Sequence, residues 1–416
     1  MIGKPLAAWC EPIARPFRYR VFTSIWLACL LSRFGSLVQI VGASWLMTSL
    51  AKSADMVALV QTAILMPTML LSLVAGASAD AWDRRGVMLI SQYLGLSASV
   101  ALALLAYADC IGPWTLLLLM FITGCGAALY QPAWQSSLSE QVPQSDLSAA
   151  ISLDSLSLSL ARTLGPPIGG VLLVAAGPAI AFLVNCATYV GLIAVLAFGL
   201  KERQPSQPGR ERVLVAMTAG ISHACSCRVI RTLLLRSAVF GLLGSATWAL
   251  MPLVAQDLLR GNADLYGWLF GWWGAGAVLG ALYGVPIRLR FSNELVLRVS
   301  SAGVGIGILL TASSQWEHVT MAAQIITGGC WVVAVSTLNV SIQASSPARI
   351  VGRVVAIFHT VLVGGLTVGS WISGLLANEF GLVFAMQLSG AFMTASLFLG
   401  WAVPLRPIIG SNADQA

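Results

Sequence analysis

Four ionisable side chains stand well away from the ends of stretches otherwise built from apolar residues: Arg33, Asp154, Arg162 and His359. A charge in such surroundings costs several kcal/mol unless it is paired or wetted, so each is a candidate for binding a charged group or carrying a proton. Arg33 lies about twelve residues into its stretch, near the middle of a bilayer at ~1.5 Å of rise per residue. Asp154 and Arg162 share a second stretch, and His359 lies in a third. An aspartate between two arginines reads as a static ion pair or as a substrate or proton site; composition does not choose between them. Gln39, Asn185 and Gln324 are expected to make ordinary interhelical hydrogen bonds. No HExxH, paired aspartate or Ser/His constellation of an intramembrane hydrolase occurs in these stretches, and no GxxxxGK[ST] phosphate loop occurs anywhere. An enzyme and an ATP-driven pump are therefore disfavoured, and no cofactor or metal is expected. A membrane sensor without transport activity remains the reading from a different class.

The elements that must hold these residues follow from composition. Of 416 residues 57% are hydrophobic and only 9% charged, and mean hydropathy is +0.84. Soluble domains carry roughly 25% charged residues, and a soluble chain this apolar would expose large sticky patches. With ~20 apolar residues per span the length allows about a dozen transmembrane helices. The apolar runs lie at 21–49, 56–79, 86–107, 113–131, 147–175 and 178–199, then at 233–255, 265–287, 294–313, 319–340, 350–377 and 381–404. The first exceeds 20 residues and leads into further spans, so it reads as an uncleaved helix rather than a signal peptide. The predicted organisation is an N-terminal six-helix bundle at 1–200, a basic linker at 201–232 whose middle could form a surface helix, and a C-terminal six-helix bundle at 233–416. No further domain is expected after Arg406. Most cysteines lie in apolar runs at irregular spacing and read as small core residues; Cys225 and Cys227 form a lone CxC, a weak metal signal.

Orientation follows from Lys and Arg. With the N-terminus in the cytoplasm, nineteen of the 23 fall in cytoplasmic segments or at their helix ends, against Lys52 and Arg260 on the other side. This positive-inside bias predicts both termini in the cytoplasm. The basic residues are spread among connections rather than gathered on one face, which argues against nucleic acid. Trp268, Trp272 and Trp273 cluster in one span. Trp268 and Trp272 share a face, as a stacking surface for an aromatic substrate or as lipid-facing packing.

The halves repeat. At an offset of 204, Gly76 meets Gly280, Pro143 meets Pro347, Gly165 meets Gly369, Gly170 meets Gly374 and Gly177 meets Gly381. Between the second and third spans stands GASADAWDRRG, Gly76 to Gly86. Asp80 sits four residues after Gly76, at a helix end where it could meet Arg84 or Arg85 as a breakable ionic latch; the other reading is an ordinary charged turn. The matching segment of the second half, GALYGVPIRLR, has Gly284 in place of the aspartate. In the fifth span, ARTLGPPIGG carries Gly165, Pro166, Gly169 and Gly170, which bend the helix and let a neighbour approach.

The first segment resembles the signature loop of the major facilitator superfamily, and the second the GPxxGG segment of its antiporter-type members, although the usual upstream glycine is not evident. With ALYQPAWQSSLSEQVP, AISLDSLSLSLARTLGPPIGG and YGWLFGWWGAGAVLGALYG, the chain is similar over nearly its whole length to the bacterial branch of enterobactin and multidrug exporters. The resemblance implies an all-α membrane protein of twelve transmembrane helices in two pseudo-symmetric six-helix bundles. It further implies a bacterial inner-membrane secondary transporter, working as a monomer. Its expected action is proton-driven export of a small amphiphilic molecule (siderophore, drug or secondary metabolite) by alternating access, with uptake or lipid translocation as the alternative. Arg33, Asp154, Arg162 and His359 would then border the central cavity.

Overall fold

Inside hydrocarbon every backbone N–H and C=O must find its partner within the protein, and a chain without alternating polarity meets that demand with helices. The structure, a computed structural model, describes residues 15–51, 53–81, 83–199, 222, 224–347, 350–398 and 400, with the side chains of 72–81 and 199 outside the description. Among these residues there is no strand. The helices are α1 (Arg20–Leu50), α2 (Ala54–Ala81), α3 (Arg84–Tyr107), α4 (Pro113–Gln141), and a run from Leu147 to Gly199. At ~1.5 Å per residue that run is about 78 Å long, twice what a bilayer needs. It breaks at Gly177, whose φ of 78° lies in the left-handed region, into α5 (147–176) and α6 (178–199). Next come α7 (Arg228–Leu258), α8 (Ala263–Arg290), α9 (Asn293–Ser313), α10 (Glu317–Ala344), α11 (Val351–Phe380) and the shorter α12 (Leu382–Phe398). Twelve apolar helices are thus found among the described residues.

Gly381, with φ 92°, joins α11 to α12 as Gly177 joins α5 to α6. These glycines, 204 residues apart, make the repeat visible as geometry: each supplies a backbone state that a side chain disfavours. In the earlier spans the register is different. Ala54 opens α2 and Ala263 opens α8, 209 residues apart, and Arg84 and Asn293 open α3 and α9 at the same offset. Gly76 and Gly280 are therefore not structural equivalents, whereas Gly165, Gly170 and Gly177 keep the 204 register with Gly369, Gly374 and Gly381.

Among the described residues the predicted ends agree closely except at α4, which runs ten residues past its apolar stretch through Pro132 to Gln141; the predicted end of the last span at 404 lies outside the described residues. Its last turns, WQSSLSEQ, are polar but helix-compatible, and they carry the helix out of the hydrocarbon. Most of the segment 201–232 lies outside the described residues, and α7 begins at Arg228, inside the stretch read as linker.

Odd-numbered spans begin at one end of the bundle. That end collects Arg15, Arg18, Arg20, Arg84, Arg85, Arg228, Arg231, Arg288, Arg290 and Arg353, and is called the arginine-rich end below; the other is the far end. Helices α1 to α6 pack as one half and α7 to α12 as the other, and the halves meet along α2–α11 and α5–α8. One apolar core takes residues of the first half from the far end alone, such as Met47, Val57, Ala58, Leu102, Leu116 and Phe182, and joins them to the second half. The other core, Phe22, Trp26, Met88, Trp134, Leu153 and Leu196 among its members, lies at the arginine-rich end and belongs to the first half only. The halves thus share an interior at the far end and part at the arginine-rich end.

Candidate functional site: the cleft between the halves

The α1–α5 packing places Arg33. A Cβ built at Gly165 would meet Leu37 at 3.0 Å, and one at Gly169 would meet the Cα of Val38 at 3.1 Å, so α1 lies directly on the α5 glycines. One turn earlier, Arg33 Nη2 donates to Asp154 Oδ1 at 2.6 Å, and Nη1 donates to the Asp154 carbonyl at 3.1 Å and to the Ser157 hydroxyl. Trp134 Nε1 of α4 donates to the same carboxylate oxygen at 2.8 Å. Both ionic side chains are nearly enclosed, 13% and 11% exposed. Asp154 is therefore held by a guanidinium and an indole within one half. Removing either partner of such a pair leaves a buried charge, at a cost of about 3–5 kcal/mol.

Arg162 is placed differently. It lies on the strip of α5 between the face against α1 and the face against α8, is exposed, and has no hydrogen bond or ion pair among the described residues. Its carbonyl lies 2.9 Å from where a Cβ of Gly274 on α8 would be, which fixes its depth beside Trp273. Arg33 is close enough to act on it electrostatically. Two guanidiniums, only one neutralised, make the wall of α1 and α5 positive. His359, also exposed, lies on α11 between the face meeting α7 at Gly365 and the face meeting α2 at Gly364, so it too borders the cleft. The structure joins Arg33 to Asp154 and keeps Arg162 and His359 apart from that pair. Gln39, fully buried, accepts from Asn185 (2.7 Å) and Ser99 (2.6 Å), and Gln324 donates to Thr311 (2.9 Å), as structural hydrogen-bonders should.

Above Arg162, toward the far end, stands an aromatic roof that the sequence alone did not assemble. Trp45 of α1 stacks on Tyr266 of α8 at 6.3 Å across the two halves. Tyr266 meets Phe270 at 5.3 Å, and Trp248 of α7 meets Phe270 at 5.0 Å and Trp273 at 4.5 Å. Trp273 was visible in the tryptophan cluster, and the step of 100° per residue already turned it away from Trp268 and Trp272. Those two lie half-exposed in an apolar groove with Leu164, Ile168 and Val171, on the outer side of the α5–α8 seam. Near these seams Asp55 Oδ1, Thr247 Oγ1, Asp264 Oδ1, Trp273 Nε1 and Ser370 Oγ are buried and have no hydrogen-bond partner among the described residues.

At the arginine-rich end, Gly76 and Asp80 fall in α2, but Asp80's side chain lies outside the described residues. Arg84 Nη1 pairs with Glu140 at 2.6 Å and reaches the Ser136 carbonyl at 3.0 Å, while Arg85 Nη2 donates to the Ala197 carbonyl at 2.7 Å. Asp83 caps α3 by accepting from the Gly86 amide at 2.8 Å. Just before α1, Tyr19 donates to Asp146 at 2.9 Å, and that carboxylate acceptor pushes the phenol above its ordinary value. No group of three or more His, Cys, Asp or Glu suited to a metal occurs among the described residues.

Two six-helix halves, joined at one end and parted at the other around a cleft lined by charged and aromatic side chains, define a multi-pass membrane transporter. The family model described as transmembrane secretion effector matches residues 11–415, and the chain belongs to that family, an efflux branch of the major facilitator superfamily. The multidrug efflux pump Tap of Mycobacterium tuberculosis (strain ATCC 25618 / H37Rv) is 24% identical over 371 residues, covering 86% of this chain and 87% of the relative. The enterobactin exporter EntS of Escherichia coli O1:K1 / APEC is 24% identical over 321 residues, 76% of each chain. In fold the chain is similar to the nucleoside transporter NupG (TM-score 0.77, 11% identity, 92% of this chain and 99% of that one). It is also similar to a bacterial homologue of the lysosomal transporter Spinster in an inward-facing, occupied conformation (TM-score 0.74, 14% identity, 93% and 97%).

Proposed function

We propose that the protein exports a small amphiphilic organic molecule bearing an anionic group, driven by protons, across the bacterial inner membrane. Drugs and siderophores are the substrate classes that the names of its relatives suggest. The observation that carries the reading is Arg162: an unneutralised guanidinium in the cleft, under an aromatic roof and open toward the arginine-rich end. Positive-inside bias assigns that end, with both termini, to the cytoplasm. A substrate would enter from the cytoplasm, place its anion on Arg162 and its apolar part under Trp45, Trp248 and Trp273. The bundles 1–200 and 233–416, tied by the linker 201–232, would then rock to open the far end.

In this reading Arg33 and Asp154 hold the positive wall in shape, and His359 faces the substrate from the other half. The loop of Gly76, Asp80, Arg84 and Arg85 latches the bundle at its cytoplasmic face, and Gly165, Pro166, Gly169 and Gly170 form the rocking surface. Everted membrane vesicles test it. An anionic amphiphile should accumulate when the proton gradient is imposed, and the accumulation should collapse with an uncoupler. Accumulation that ignores the uncoupler, or appears only in right-side-out vesicles, would overturn the drive or the direction.

A further inference from the structure

Two apolar grooves of nearly equal size open on the outer surface of the bundle, and they differ in what stands at their mouths. The groove over the α5–α8 seam, about 570 Å³, holds Leu164, Ile168, Val171, Trp268 and Trp272, and no ionisable side chain lines it among the described residues. Its one hydroxyl, on Thr163, is spent on the Ser159 carbonyl at 2.9 Å. The second groove, about 560 Å³, runs between α8, α9 and α10, where Tyr283, Ile287, Phe291, Leu295, Val299 and Ile326 line it, all six exposed. Both volumes fall in the range of small-molecule pockets. Phe291 follows the last residue of α8 and Leu295 lies in the first turn of α9, so the second groove reaches the arginine-rich end, where helix ends meet headgroups.

That mouth carries charge without a countercharge. The last turn of α8 holds Arg288 and Arg290. Arg288 Nη1 donates to the neutral Ser336 hydroxyl at 2.6 Å, and Arg290 is exposed with no hydrogen bond or ion pair among the described residues. The nearest acid in the chain, Glu294, is held by Arg236 at 2.8 and 3.0 Å and by Arg298 at 2.6 Å. Residues 319–347, which include most of α10, contain no Asp, Glu, Lys or Arg. In the first half the arginines opening α3 are used: Arg84 pairs with Glu140, and Arg85 reaches the Ala197 carbonyl. Deeper in the groove lies Ser300, 5% exposed, whose hydroxyl makes no hydrogen bond among the described residues. A helical serine commonly returns its hydroxyl to a carbonyl one turn back, and Ser300 does not. Apolar walls, two guanidiniums without an acid and an unused hydroxyl together fit an anionic amphiphile that the bilayer itself supplies.

We propose that the groove between α8, α9 and α10 binds an anionic glycerophospholipid from the leaflet at the arginine-rich end. The phosphate rests on Arg288 and Arg290, whose forked donors match its oxygens. An acyl chain lies along Tyr283 and Val299, and Ser300 donates to an ester oxygen. A zwitterionic lipid offers the same chains and phosphate but brings its own cation toward the two arginines, so the site selects by net headgroup charge. The bound lipid ties α8 to α9 and α10 within the second half. The site needs neither the direction nor the proton drive proposed above.

A bimane fluorophore on Val299→Cys, in a cysteine-free full-length protein in phosphatidylcholine nanodiscs, reports the occupant through quenching by lipids that carry a nitroxide on one chain. Nitroxide-labelled phosphatidylglycerol should reach half-quenching at a mole fraction about tenfold below that of labelled phosphatidylcholine. Arg288→Ala/Arg290→Ala should bring the two lipids together, and Arg290→Ala alone should remove part of the preference. Ser300→Ala should weaken both lipids alike, because both carry the ester. Bimane on Ile168→Cys, in the groove without arginines, should be quenched equally by the two lipids. Equal quenching at Val299, a preference that survives the double variant, or the same preference at Ile168 overturns the proposal. If the double variant does not fold, Arg290→Ala decides. The measurement needs no substrate and no gradient, so it fails separately from the vesicle test of export.

Discussion

The two halves share a topology but put their ion pairs at different depths. In the first half Arg33 and Asp154 meet well inside the bundle, with Trp134 as a further donor. In the second, Arg236 binds Glu294 through two hydrogen bonds of 2.8 and 3.0 Å, and Arg298 adds a third at 2.6 Å, at the start of α9 beside the arginine-rich end. The two pairs are about equally enclosed, 13% and 11% exposed for Arg33 and Asp154 against 8% and 17% for Arg236 and Glu294, so what separates them is position along the span. An ionic network near the interface anchors a helix, whereas one at depth shapes the field of a cavity. The first half supplies charge to the cleft and the second supplies most of its aromatic surface.

The largest expected effect tests that contrast. Asp154→Leu strands Arg33 and should cost about 3–5 kcal/mol, read as a lowered melting temperature in detergent, and Glu294→Leu, which strands the equally enclosed Arg236, should cost a similar amount, but only the first should also lower transport of an anionic substrate by the protein that remains folded. An equal loss of transport from both would erase the distinction between the halves. Next comes the seam. Gly170→Leu and Gly374→Leu each put a side chain where backbone now lies and should hold the far end open, lowering transport by about tenfold or more with folding retained. An effect from only one of them would show that the seams are not equivalent.

Arg162→Ala should lower transport of an anionic substrate about tenfold, the ~1.4 kcal/mol of one lost charged contact, and leave melting unchanged because no described partner is abandoned. Transport of a cationic substrate should not fall. Arg84→Ala should leave insertion intact and cost under about 1 kcal/mol of stability, since its pair with Glu140 is about a third exposed, while lowering transport by shifting the conformational balance. The smallest effect is expected for Trp268→Ala and Trp272→Ala, whose rings face the lipid side of the seam; transport of an aromatic substrate should be unchanged, and a large loss would move the substrate path to the outer groove.

Much of the fold was legible because the bilayer leaves a chain few choices: apolar length gives the spans, and Lys and Arg give their direction. Gly177 was readable as a break because a glycine before proline interrupts an apolar run. Arg33 and Asp154 could be singled out by the cost of burying charge, but their direct pairing needed the α1–α5 contact, set by glycines 132 and more residues away in the chain. The aromatic roof was hidden for the same reason, since Trp45, Trp248 and Trp273 come from three helices. The 204 register, correct for the later spans, misaligns α2 with α8 by five residues, so it sets Gly76 against a glycine that is not its counterpart.

The joints at Gly177 and Gly381 also govern how this protein can be handled. Each passes the chain from one span to the next through a single residue in the left-handed region, with no connecting loop on the far face. Epitope tags, glycan acceptors and protease sites need several exposed residues, and neither joint offers them. The two hairpins are accordingly poor places for an insertion, while the connections at 108–112 and 314–316 are the natural ports for probes. For biogenesis the same geometry leaves no far-face loop to be carried across between α5 and α6 or between α11 and α12.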